Sequence, residues 1–198
     1  MSANSAMSIP VKQLSALSRE ALVQHFLALA PEDYRLRFGR SMTPDAIREY
    51  VAAIDFDRDA AFGAFDDDLR LAGVAHVGRT EDGAELGVSV VPASRGKGVG
   101  SALFERAHGY ARNQGLRQLF MHCLTENKAM MHIARKAGMN IVTEAGESDA
   151  HLELPPADAG TIARELLQER VALYDIALKA QLRAAKRFAA SLRGDKEG

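Results

Sequence analysis

A mixed α/β fold, with a central sheet of parallel and antiparallel strands flanked by helices, is what the sequence predicts, and three observations predict it. Residues 86–110 pass from a β-branched run that stops at Pro92, through a turn holding Gly96, Gly98 and Gly100, into a segment that sets Val99, Ala102, Leu103, Ala107 and Tyr110 on one helical face. Residues 118–138 repeat the strand-to-helix step, with Asn127 placed to cap the helix and Gly138 placed to end it. Ahead of both, residues 60–66 and 69–77 alternate around an Asp-rich turn, the pattern of an antiparallel hairpin.

Taken in order, residues 9–15 form a short first strand, and Ser18 caps a helix that runs through Leu29 until Pro31 breaks it. Thr43-Pro44 opens a second helix carrying Ile47, Tyr50 and Val51, with Pro44 where a missing N–H costs nothing. The hairpin follows, Asp82-Gly83 makes the next turn, and the central strand then feeds the glycine turn. Past Pro155-Pro156 the character changes. Residues 161–193 contain neither Gly nor Pro, and Leu167, Val171, Tyr174, Leu178, Leu182, Ala185 and Ala189 recur at spacings of three and four. The chain therefore divides into a domain over 1–154 and a helical extension over 155–198, whose apolar stripe fits either packing on its own domain or a homodimer arm.

Bulk properties narrow the setting. The 198 residues carry 25 Lys plus Arg against 26 Asp plus Glu, so no global charge draws nucleic acid or an anionic membrane. The extension is basic at Lys179, Arg183, Lys186, Arg187 and Arg193, for which a solvated face is the ordinary meaning. A single cysteine, Cys123, excludes an internal disulfide and argues against zinc, so no metal is expected. Residues 1–10 lack a basic segment followed by an apolar core, and a cytoplasmic location is expected.

Glycines at the start of a helix let a ligand approach unpartnered backbone N–H groups, which is chemistry for holding phosphate. A Walker loop is excluded because Val91 stands where its first glycine belongs and Gly98 where its Ser or Thr belongs. A dinucleotide fingerprint starting at Gly96 fails at Ser101. The run Arg95-Gly96-Lys97-Gly98-Val99-Gly100 instead resembles the (Gln/Arg)-x-x-Gly-x-(Gly/Ala) pyrophosphate loop of the GNAT superfamily of N-acetyltransferases. Asn127 to Gly138, followed by Met139, is similar to that family's second motif, and the element order agrees from about residue 9 to Leu154. Residues 31–38 with Met42-Thr43 also resemble the acetyltransferase domains of bacterial protein-lysine acetyltransferases.

The resemblance implies a GNAT-like fold and acetyl-CoA as co-substrate. Its pyrophosphate would lie on Arg95, Gly96, Lys97, Gly98, Val99 and Gly100, and its pantetheine arm along Val88, Ser89 and Val90, with Asn127 bordering the site. Glu85 matches a glutamate of the protein-lysine acetyltransferases and is the expected base; with period two it shares a face with Gly87 and Ser89. Its competing reading is a solvated residue at a hairpin end. Where many family members carry a tyrosine that protonates the CoA thiolate, this chain has Ala134. His122, Cys123 and Tyr110 are the other candidates, His122 and Tyr110 being ordinary core residues on sequence grounds. Asp55, Asp57, Asp59 and Asp66 to Asp68 would attract a cationic amine or simply form turns. Two functions are thus expected in order: transfer of an acetyl group to a small amine or a protein lysine, or CoA binding without catalysis in a sensor assembled through the extension.

Overall fold

The structure, a computed structural model, describes residues 9–81 and 83–194, with side chains described through residue 191. Asp82 of the expected turn, residues 1–8 of the amino-terminal reading and the Arg193 side chain lie outside the described residues. Among the described residues seven strands form one sheet in the order β1-β2-β3-β4-β5-β7-β6. They are β1 (Lys12–Leu14), β2 (Ala60–Phe65), β3 (Leu71–Arg79), β4 (Ala84–Val90), β5 (Gln118–Leu124), β6 (Asn140–Glu144) and β7 (Glu147–Glu153). Only the β4–β5 pair is parallel.

Helices cover both faces. On one lie α1 (Arg19–Leu27), α2 (Pro31–Phe38) and α3 (Pro44–Ala53); on the other lie α4 (Val99–Asn113) and α5 (Lys128–Lys136). Alternation along the strands separates two apolar clusters. Phe62, Leu86, Leu103, Leu119, Met121 and Met131 belong to the α4/α5 side, while Leu22, Phe26, Ile47, Val51, Ala61 and Val74 belong to the α1/α3 side. Each fully buried side chain of this size contributes about 1.5–3 kcal/mol, so both layers are fixed to the sheet.

The expected Asn127 cap is present, its Oδ1 accepting from Met130 N–H at 3.2 Å, and at the start of α3 Thr43 Oγ1 accepts from Ala46 N–H at 3.2 Å. Gly138 takes φ +71° just past α5, the left-handed stop that only glycine adopts freely. Two readings change. Ser18 does not cap α1 with its side chain, because a short 3-10 turn precedes the helix. Pro31 ends α1 but also opens α2, a helix the sequence reading lacked; a proline at the first helical position needs no N–H partner. The breaker and the starter are one residue.

The extension forms α6 (Ala159–Gly194), and it docks with its polar side. The buried Arg106 of α4 donates to Glu165 at 3.0 Å and to Glu169 at 3.3 Å while stacking over Phe62 at 4.7 Å. Lys179 Nζ donates to the Phe65 carbonyl, and Arg183 Nη1 to that of Asp68, both at 2.8 Å. Ala172 is buried in this seam. The expected stripe faces away: Leu167, Val171, Tyr174, Leu178 and Leu182 are 45–74% exposed. Packing of that stripe on its own domain is therefore excluded.

Candidate active site

Strands β4 and β5 pair only at Ala84 with Leu119 and Glu85 with Phe120, although β4 continues to Val90 and β5 to Leu124. Beyond Glu85 the sheet opens into a wedge. Val91 N–H donates to the Ala72 carbonyl at 3.0 Å, which fixes the alternation: Ser89 and Gly87 bond back to β3, whereas Val90 and Val88, past the last β5 pairing, aim their N–H and C=O groups into the wedge. Arg95 Nε already takes the Val90 carbonyl at 3.3 Å. The backbone of Val88 is left for a ligand.

A cavity of about 540 Å³ fills the wedge and reaches the start of α4. That is within the ordinary size of a small-molecule site. Val88, Ser89, Val90, Arg95, Gly96, Gly98, Val99, Gly100 and Asn127 all line it, as do Arg37 and His132. Lys97 does not; its Nζ turns back to the Ala93 carbonyl at 2.9 Å. Glu85 does not line the cavity either, being exposed at the last paired position, the apex of the wedge.

The glycine turn is built for backbone contact. Gly96 and Gly98 take φ +71° and +84°, and Gly98 is the residue before the first turn of α4, whose leading N–H groups have no partners within the helix. At Gly100 a Cβ would stand 3.1 Å from Ile133 Cδ1 of α5, so the two helices close on each other there. Unspent N–H groups at a helix start together with the free Val88 backbone suit a ligand that has a pyrophosphate at one end and an extended amide arm behind it.

Helix α2 crosses this cavity, held by polar contacts. Asp33 pairs with Arg95 at 2.5 Å, Arg35 pairs with Glu126, and Asn127 Nδ2 donates to the Leu36 carbonyl at 3.4 Å.

The floor on the α1–α3 side is polar and was missed by sequence reasoning. His25 is buried; its Nδ1–H donates to the Leu71 carbonyl at 2.9 Å, so Nε2 accepts the Ser89 hydroxyl at 2.8 Å. Burial pushes His25 down to about 4, so it is neutral and the assignment is fixed. A second chain of bonds runs from Arg37 Nη2 to Tyr50 Oη at 3.3 Å, from Tyr50 to His76 Nδ1 at 2.9 Å, and from His76 Nε2 to Asp59 at 3.2 Å. Burial lowers the His76 pKa and raises that of Tyr50, which keeps both neutral at pH 7. Arg37 lies directly on Gly87, where a Cβ would overlap the guanidinium. The helical spacing of Tyr34, Arg37 and Phe38 hints at a polar position beside an apolar pair, but no local pattern ties it to Asp59.

The other acid candidates separate. Ala134 is fully buried in the α5 core, so a longer side chain there would enter packed residues and its absence removes nothing from the cavity. Tyr110 packs against Phe62, and Cys123 is buried with its thiol pKa raised by desolvation. His122 is not a core residue as expected: it is exposed, and its bond to Asp149 at 2.7 Å raises its pKa. The acidic cluster is largely turn chemistry. Asp55 and Asp66 accept from nearby backbone N–H groups, and only Asp59 joins the polar floor.

Among the described residues there is no group of three or more His, Cys, Asp or Glu that could hold a metal, and no helix long and apolar enough to cross a membrane.

Comparison with known proteins agrees with this geometry. The acetyltransferase (GNAT) family profile matches residues 23–139. The GNAT domain of S. lividans PAT superposes with a TM-score of 0.63 at 22% identity, over 73% of this chain and 89% of that one. Spermidine N-acetyltransferase from Vibrio cholerae, in complex with CoA and spermine, gives 0.59 at 17% identity over 73% and 95%. A ribosomal-protein-alanine N-acetyltransferase from Brucella melitensis gives 0.58 at 16% over 73% and 99%. At these identities the likeness is one of fold.

Proposed function

The chain belongs to the GNAT family of acetyltransferases, and we propose that it transfers the acetyl group of acetyl-CoA directly to a primary amine while both are bound. The observation that carries this reading is the wedge, open from Glu85 onward and ending on the glycine turn at α4. Residues 95–100 would hold the pyrophosphate, with Lys97 on the outer side of the turn. Val88 would pair with the pantetheine arm and offer its N–H to the thioester carbonyl, and Asn127 would border the arm while capping α5.

At the apex, Glu85 takes a proton from the attacking nitrogen, directly or through water. The N–C bond forms as the C–S bond breaks, and the products are the N-acetyl amine and CoA thiol. A thiolate is a fair leaving group near neutral pH, so water can return its proton. Nothing in the step requires residue 134.

A second reading, CoA binding without catalysis, is favoured by Glu85 lying outside the cavity. Isothermal titration with acetyl-CoA, joined to a thiol-release screen over amino acids, polyamines, antibiotics and lysine peptides, separates the two. Binding with release supports transfer; binding without release to any amine supports the silent module; no binding overturns both.

The extension over 155–198 is read as an association element that joins two copies. Its stripe repeats every eleven residues, at Leu167, Leu178 and Ala189 and at Val171 and Leu182, which suits two helices paired with a shallow right-handed supercoil. Antiparallel pairing about Leu178 sets Leu167 against Ala189, Val171 against Ala185 and Tyr174 against Leu182, so large meets small or apolar throughout. A cytoplasmic location fits a chain whose single cysteine can form no internal disulfide.

A further inference from the structure

Of the charged side chains of α2, Asp33 and Arg37 line the cavity and Arg35 reaches Glu126 at its edge; Asp33 and Arg35 are neutralised. Asp33 is paired with Arg95, and Arg35 with Glu126 and Glu32. Arg37 differs. It lines the cavity, is half-buried, and has no carboxylate within ion-pair distance among the described residues. Its contacts are the Tyr50 hydroxyl at 3.3 Å and the face of Phe38 at 5.0 Å.

Its position is nonetheless built. The missing side chain at Gly87 is what lets the guanidinium lie on β4, since a Cβ there would overlap it. The bonds from Arg37 through Tyr50 and His76 to Asp59 all run in one direction: the guanidinium can only donate, so Tyr50 accepts there and donates to His76 Nδ1, which leaves His76 Nε2–H for Asp59. One N–H of the fork is spent on this anchor, and the others have no hydrogen-bond partner among the described residues. A half-buried guanidinium, anchored at one side and with donors left over, suits a planar anion in bidentate geometry.

That anion is not the pyrophosphate of acetyl-CoA. From Gly87 to Val90 the strand alone spans about 10 Å, and the glycine turn lies farther still. Gly87 is instead two residues from Glu85, at the reacting end of the wedge. The same unpaired charge disfavours a polyamine or a second ammonium group at that end.

Resting on the acetyltransferase reading above, we propose that Arg37 binds a carboxylate of the acceptor, which makes the acceptor a free amino acid or a similar small amine bearing a carboxylate close to its reacting nitrogen. Asp59, His76 and Tyr50 are positioning residues for that guanidinium.

The test compares free amino acids with their carboxamides, with spermidine and with a lysine peptide blocked at both ends, using thiol release from acetyl-CoA. The expected result is kcat/KM at least tenfold higher for the acids than for their amides. Arg37→Met should raise KM for the acids by about tenfold to a hundredfold, the range of a charge-assisted bond, and leave the amides unchanged. Arg37→Lys should recover part of the loss. Titration with acetyl-CoA should give the same Kd for wild type and Arg37→Met, which also shows that the variant is folded. The proposal is overturned if amides, spermidine or the peptide are used as well as the acids, if no amino acid is used by protein that binds acetyl-CoA, or if Arg37→Met weakens acetyl-CoA itself. Failure of the wild type to bind acetyl-CoA would instead sink the reading beneath it.

Discussion

The two faces of β4 are built by opposite means. Leu86 and Val88 point into the α4/α5 layer and are buried among apolar side chains, so that face needs only shape. Glu85, Gly87 and Ser89 point the other way, where Arg37 covers the glycine and His25 takes the Ser89 hydroxyl. The apolar face fixes the strand's position, while the wedge-facing backbone and the polar face supply contacts. A ligand arm that lies along backbone therefore asks little of side-chain identity. An acceptor that must be selected asks for charges held in place, and these require partners from α1, α2, α3 and β3.

The largest effect expected is on the backbone-built side. Gly98→Asp forces a side chain onto a residue at φ +84° and places a negative charge at the α4 start, so acetyl-CoA binding should be abolished in titration. Space within the protein is not the obstacle, since the nearest atom to a Cβ there is Ile9 Cδ1 at 3.8 Å. An unchanged Kd in folded Gly98→Asp protein would remove the phosphate role of the turn and with it the contrast between the faces.

On the polar face, Glu85→Gln should lower turnover by about two to four powers of ten at neutral pH while acetyl-CoA affinity stays within twofold. A loss below tenfold would make Glu85 a solvated strand residue, as its exposure alone suggests, and would move the base elsewhere on that face.

How much of this was legible in the sequence follows the same division. The glycine turn, the Asn127 cap and the Gly138 stop are each encoded within a few neighbouring residues, by dihedral preference or by a side chain reaching its own helix. They could be read without knowing the fold. The Arg37 to Asp59 chain joins residues 37, 50, 76 and 59, and His25 meets Ser89 across 64 positions, so neither has a local signature. Helix α2 is hidden in the sequence for another reason: a proline after a helix reads as a stop, and here it is also the first residue of the next helix. In α6 the periodicity was visible, but which face docks depends on Arg106, Phe65 and Asp68, all far away in the chain.

The neutral His25 gives a pH test of the polar face. Its ordinary pKa of 6.5 falls to about 4 on folding, so the unfolded chain binds the proton more readily. Its neutral state costs no stability above pH 6.5, and stability is lost as pH falls from 6.5 toward 4, by about 3 kcal/mol for this group. Wild type should show that slope in denaturant melts between pH 6.5 and 4. His25→Gln should be less stable at pH 7 and flatter across the same interval. Equal slopes in both proteins would mean that other groups set the acid response and that His25 is not held neutral.

The smallest effect on the fold is expected from α6, which touches neither face of β4 and so serves as the control for both. Because Leu178 and Leu182 are exposed within one chain, the double variant Leu178→Glu, Leu182→Glu should change unfolding free energy by no more than about 0.5 kcal/mol per site in the monomer. If a second copy covers the stripe, wild type should scatter light as a dimer at micromolar concentration and the variant should shift toward monomer. Acetyl-CoA affinity and amino-acid turnover should survive, since the docking seam of Arg106, Lys179 and Arg183 is left intact. A wild-type monomer would end the self-association reading, because the stripe would then stay open in the isolated protein. Loss of acetyl-CoA binding on dissociation would show instead that α6 shapes the wedge through α4, and the separation of cofactor face from association surface would have to be given up.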